Sequence, residues 1–176
     1  MAEIEIHHEH GHEDDPLAKR VGLMVGIIGV VLAVVTIAAH REHTAAVIER
    51  TAENDQWAYY QAKKIREHVS GVGRELALAL GTDPAKVAAA VGKFDEQTAK
   101  YKHDAEELEK EARADEAATH RAERRALRFD LGEGFIELGL VLSSLYFLGR
   151  HRLFPLVGGA SAVLGLAVAL SALTIA

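Results

Sequence analysis

No cysteine occurs in the 176 residues, which excludes disulfides, thiolate metal sites and a cysteine nucleophile and leaves the redox compartment undetermined. Proline is almost as scarce, at 3 residues, and a helix-favouring composition with so few breakers disfavours a β-rich fold. An excess of cations is missing too: 20 Lys plus Arg stand against 26 Asp plus Glu, a net charge of −6. Nucleic acid is therefore a poor partner, because phosphate binding needs clustered cations. Also absent are GxxxxGK[ST], GxGxxG after a strand and GxSxG. With neither a nucleotide cradle nor a triad, the chain is expected to be non-enzymatic and to carry no resident cofactor.

What is present is segregated, and a mean hydropathy of +0.02 conceals it. From Val21 to Ala39 run nineteen residues without a charge, close to the roughly 30 Å hydrocarbon thickness at about 1.5 Å per residue. This predicts a first transmembrane helix over 17–39. A cleaved signal peptide fits less well, because six acids precede the run against only Lys19 and Arg20, the reverse of a basic leader. A second span is shorter in apolar residues. Phe135 to Leu148 contains Glu137, so a full crossing over 131–149 takes in Glu133 as well. A third, 154–176, has no charge and follows after Gly149-Arg150-His151-Arg152-Leu153, with Pro155 suited to its first turn.

Between the first two spans, residues 40–130 hold sixteen Lys or Arg and eighteen Asp or Glu, interleaved. Such mixing reads as solvated helix faces. Gly81-Thr82-Asp83-Pro84 supplies a C′ glycine, a capping side chain and a proline for the first helical position, predicting a turn at 81–83. Three-four spacing follows Ile48, Thr51, Asp55, Ala58, Ala62, Ile65, Val69, Val72, Leu76 and Ala79 on the first arm. On the second arm it follows Val87, Val91, Phe94, Thr98, Tyr101, Ala105, Leu108, Ala112, Asp115, Thr119, Ala122, Ala126 and Phe129. These are the expected seams of an antiparallel coiled coil. The predicted fold is all-α: three transmembrane helices with a long antiparallel helical hairpin, a stalk, between spans one and two, its arms running without interruption into the membrane and Gly132 and Gly134 marking where a kink would form. So thin a hairpin leaves apolar surface, which predicts a homo-oligomer.

The run NDQWAYYQAKKIR, a His- and Glu-rich start before the first span, and a charged stretch returning through RFDLGEGFIELGLVLSSL to two closing spans together resemble an uncharacterised family of small bacterial membrane proteins, a domain of unknown function. The resemblance implies fold and membrane location and supplies no activity or catalytic residue.

Four features are candidates for function. Asn54, Asp55, Trp57, Tyr60 and Gln61 crowd one helical segment, and Trp and Tyr give large contact area with a polar handle, so they suit packing against the second arm of the same hairpin or a neighbour in an oligomer, or a separate partner such as another membrane protein. Asp130, Glu133 and Glu137 are spaced three then four, projecting from one face of span two. Carboxylates there are expected to line a cation path, pair with a base such as Arg128, or stay neutral in a packed contact. His7, His8, His10 and His12 lie among acids in the tail, 1–16, a composition that suits a divalent metal without fixed ligand spacing. Lastly, Gly22 with Gly26, Gly158 with Ala162, Ser161 with Gly165 and Gly165 with Ala169 are small-xxx-small steps that favour close helix packing.

Lys19, Arg20, Arg150 and Arg152 fall on one side of a three-span chain. The positive-inside rule then makes the N-terminus cytoplasmic and the stalk periplasmic in a bacterial inner membrane, although Arg124, Arg125 and Arg128 oppose this. The expected role is an oligomeric membrane scaffold or partner-binding protein acting through its stalk. Alternatives are a cation channel or transporter subunit using the three carboxylates, and a divalent-metal-responsive sensor using the histidines.

Overall fold

A computed structural model describes residues 15–175, so the histidines at 7, 8, 10 and 12 lie outside the described residues. Helix α1 spans Pro16–Leu80 and α2 spans Pro84–Ser144. A single turn, α3 (Tyr146–Gly149), precedes α4 (Leu153–Ser171), and a 3-10 turn over Ala172–Thr174 ends the described chain. Among the described residues there is no strand. Three segments are long and apolar enough to cross a membrane: within α1, within Pro84–Gly149, and over Leu153–Thr174.

Both long helices begin in the same way. The Asp15 carboxylate accepts the Leu17 N–H at 2.9 Å, and the Asp83 carboxylate accepts the Ala85 and Lys86 N–H groups at 3.0 and 3.4 Å. In each case proline follows at the first helical position, where an N–H would lack a partner anyway. At the end of α2, Leu145 leaves the helix and Arg150 takes a left-handed conformation (φ 47°). The Arg150 N–H donates to the Tyr146 carbonyl at 2.8 Å, which turns the chain toward α4.

The chain divides into two compact units. One comprises the described residues up to His40 together with Leu127–Thr174. Its core is built by Ile28, Val35, Ala39, Phe129, Ile136, Ala162, Ala169 and Ala172. Here α2 and α4 meet through small residues. A Cβ added at Gly139 would lie 2.6 Å from the Gly158 carbonyl oxygen and 2.8 Å from the Ala162 nitrogen. One added at Gly132 would lie 2.7 Å from the Gly165 oxygen. Ile136 and Ser143 are fully buried on the same face of α2, while Ser161 donates across to the Phe135 carbonyl at 2.8 Å. Thus Gly132 is a contact with α4, and the helix runs uninterrupted past both Gly132 and Gly134. In α1 the expected Gly22–Gly26 step is not used in the same way: nothing approaches within 4 Å of a Cβ at Gly26. The N-terminal end of α1 is tied to α3 by the Tyr146 hydroxyl, which donates to Asp15 at 2.7 Å.

The other unit is the helical hairpin Arg41–Ala126. Its arms are antiparallel, since cross-arm partners rise in number on one helix as they fall on the other: Glu42 with Arg125, Arg50 with Glu123, Gln56 with Glu111, Lys63 with Asp104, Arg74 with Asp95. On α2, Ala105, Ala112, Thr119 and Ala126 are buried at intervals of seven, and the neighbouring seam positions from Val87 to Ala122 are half-buried.

The first arm differs from expectation. Its packed face is Ala46, Glu49, Glu53, Gln56, Tyr60, Lys63, Glu67, Ser70 and Arg74. The seam expected through Ile48, Ile65, Val69, Val72 and Leu76 is exposed. The offset is two residues throughout, about 200° around a helix of 3.6 residues per turn. The reason lies in the other arm. Its alanines allow close approach, and its flanking Asp104, Glu111 and Glu123 require donors, which the polar face of α1 supplies and the apolar face lacks.

Candidate functional site

The rotation of α1 places an apolar stripe on the outside of the hairpin. Ile65, Val69, Val72 and Leu76 are 63, 62, 47 and 53% exposed, and Ala62 and Ala79 extend the same row. Four branched aliphatic side chains at three-four spacing form an apolar helix face, and burying each would remove apolar area from water. Charged residues of the second arm cannot cover it, since they are engaged on the opposite face. Beside the stripe lies a groove of 740 Å³, with Val72, Leu76 and Ala79 on one wall, Lys64, Glu67 and His68 at its rim, and Thr98 on the second arm. Gly71 opens it further, since nothing stands within 4 Å of a Cβ there.

The segment around Trp57 is divided by the helix. Trp57 and Tyr60 are half-buried and pack edge to face with ring centroids 5.5 Å apart. Asn54, Asp55 and Gln61 are exposed and flank or join the apolar stripe. Tyr59, which is exposed as well, completes that flank. Tyr60 lies on the row packed against the second arm and Trp57 stacks beside it, while the polar residues face outward.

Charge sets the pairing of the two arms. The Lys63 ammonium lies 2.6 Å from the Asp104 carboxylate and 5.7 Å above the Tyr101 ring. That hydrogen bond holds the Asp104 carboxyl below its ordinary value of 3.8. Arg50 does the same for Glu123, below 4.5, with a smaller contribution from His120. Against this, the seam buries polar atoms without hydrogen bonds: Glu53 Oε2, Gln56 Oε1, Thr98 Oγ1, Thr119 Oγ1 and Arg125 Nε. Burying polar atoms without hydrogen bonds costs stability; of these, Glu53 Oε2 keeps an ion pair with Arg50 at 3.8 Å.

In the other unit the three carboxylates have different surroundings. The Thr36 hydroxyl donates to Glu133 at 2.6 Å, linking α1 to α2. Asp130 is half-buried, and Glu137 is exposed beside the exposed Leu138 and Val141. Arg128 donates to the Ser171 hydroxyl at 2.8 Å. The regular spacing along α2 thus brings the three onto one side of the helix without gathering their side chains around a point. Among the described residues, no three His, Asp or Glu side chains converge as a metal site.

Two features escape a reading by residue pattern. The Asp15–Pro16 cap and the bond from Tyr146 to Asp15 hide in an acidic tail, although the Asp-Pro pair at 83–84 is the same signal. Of the partners of the α4 small-residue row, Gly132 reads as a point of bending because glycine also marks kinks, and Gly139 carries no signal of its own.

A family model described as a domain of unknown function, DUF4337, matches residues 17–175, and the chain belongs to that family. No curated protein and no solved structure matches the chain.

Proposed function

We propose that this member of the DUF4337 family is a non-enzymatic, multi-pass membrane protein of the bacterial inner membrane that works as a scaffold, offering its helical hairpin to other protein helices. The observation that carries this is the inversion of α1: polar residues face the second arm, and Ile65, Val69, Val72 and Leu76 face outward. An exposed aliphatic row of this regularity on a charged hairpin is a liability in water unless a partner covers it. Three long apolar segments support a bilayer-embedded chain. Lys19, Arg20, Arg150 and Arg152 in short segments support a cytoplasmic N-terminus and a periplasmic hairpin.

In-cell cross-linking tests the reading. An amine-reactive cross-linker should trap the full chain in a higher-mass species, and the double variant Ile65→Glu, Val69→Glu should lose it. A trapped species that survives this change, or none in either protein, refutes a role through the stripe. Protease added to intact spheroplasts should cut the hairpin; protection reverses the orientation.

A second reading, cation transport, is supported by Glu137, which is exposed on an otherwise apolar helix surface and so needs water, a cation or another chain beside it. It predicts cation flux in liposomes that Glu137→Gln abolishes. Unchanged flux removes this reading.

A further inference from the structure

We infer that the partner covering the outward face of α1 is a second copy of this chain, with the two α1 helices parallel and in register over Ala62–Ala79. The inference rests on the scaffold reading and names the occupant of its surface.

Three observations point to self-pairing. First, the row from Ala62 to Ala79 holds strict three-four spacing, so the same row on a second helix offers the matching knobs and holes. Second, the area is near what a pairing needs. Ile65, Val69, Val72 and Leu76, with Ala62 and Ala79, leave roughly 450 Å² open per chain, so a two-fold pairing buries up to about 900 Å², near the size at which specific interfaces begin. Third, the charges agree. In a parallel pair the flanking positions that meet are Gln61 with Arg66, and His68 with Gly73 of the other copy, and Glu75 meets Leu80. None of these opposes like charges, and Gln61 with Arg66 offers a hydrogen bond. A parallel arrangement is also what two chains inserted in one membrane with the same orientation present. Asp55 lies on the same row and would meet its counterpart, a cost that concentrates the pairing beyond Ala62.

The absence of cysteine makes the test direct. Val69→Cys and Val72→Cys, introduced singly in the full chain in detergent and in proteoliposomes, should each give a disulfide-linked dimer on mild oxidation. Lys100→Cys, exposed on the second arm, should not. In parallel, light scattering of the full chain should show at least a dimer, and Ile65→Glu with Val69→Glu should weaken association at least 100-fold. Helical content should be unchanged, because these side chains point away from the hairpin's own seam. Failure of both cysteines to cross-link, or an oligomer indifferent to the double variant, overturns self-pairing. A monomeric full chain whose stripe-dependent cross-linked species in cells contains a different protein overturns it too, while leaving the scaffold reading intact.

Discussion

Alanine substituted at Gly139 and at Gly134 makes the same chemical change on one helix, and the structure gives the two opposite signs. Each gains helix propensity, about 1 kcal/mol for replacing glycine in a helix interior. At Gly134 nothing lies within 4 Å of the new Cβ, so that gain stands alone. At Gly139 the Cβ would lie 2.6 Å from the Gly158 oxygen and 2.8 Å from the Ala162 nitrogen. Ordinary non-bonded contact begins near 3.5 Å, so α4 must retreat by about 0.7–0.9 Å. Both obstacles are backbone atoms, and no rotamer change relieves them. Overpacking of this kind costs about 1–3 kcal/mol. Because the propensity gain is common to both, the variants should differ by that amount, with Gly134→Ala the more stable. Denaturant titration of the full chain in detergent, followed by near-ultraviolet circular dichroism, reads the difference. Equal midpoints, or a more stable Gly139→Ala, would refute a close α2–α4 contact at this position.

Other outcomes follow from the same contacts. Thr36→Val removes the hydroxyl that donates to Glu133 and should lower stability by about 1 kcal/mol; a double-mutant cycle with Glu133→Gln isolates the coupling, and no coupling would contradict the bond. Asp104 and Glu123 have carboxyls held below their ordinary values by Lys63 and Arg50. A depressed folded value means the stabilisation is complete above the unfolded values near 3.8 and 4.5 and disappears as pH falls through the folded ones. The hairpin should therefore lose stability on acidification below about pH 4, and Lys63→Met should flatten that dependence. Gly71→Ala meets nothing within 4 Å and should stabilise the hairpin by about 0.5–1 kcal/mol, read as a higher melting temperature.

Helix is legible almost everywhere because the chain offers so little else: scarce proline, interleaved charges and long uncharged runs leave no competing local structure. The packing face of the second arm is legible as well, since Ala105, Ala112, Thr119 and Ala126 keep the same phase as Phe94 and Leu108. The first arm has two rows in opposite phase, one aliphatic and one polar. Hydrophobicity alone selects the aliphatic row, whereas the contact within the chain is decided by what the second arm presents, and Asp104, Glu111 and Glu123 ask for donors. No property of α1 by itself carries that information. The same applies to Trp57 and Asp55, two residues apart in sequence: one is half-buried against Tyr60 and the other exposed. On α4, Gly158, Ala162, Gly165 and Ala169 announce close packing, but the surface they meet is set by Gly132 and Gly139, whose lack of a side chain is equally the mark of a bend.

The clamp between Tyr146 and Asp15 bears on how the protein can be handled. Asp15 serves twice, with one oxygen on the Leu17 N–H and the other on the Tyr146 hydroxyl. A truncated or fusion version whose native sequence starts at Pro16 discards the helix cap and the clamp together, and frees the end of α1 from α3. A reporter joined ahead of Asp15 keeps both. The choice of junction, one residue either way, thus decides whether a tagged protein reports on the native packing of α1 or on a frayed version of it.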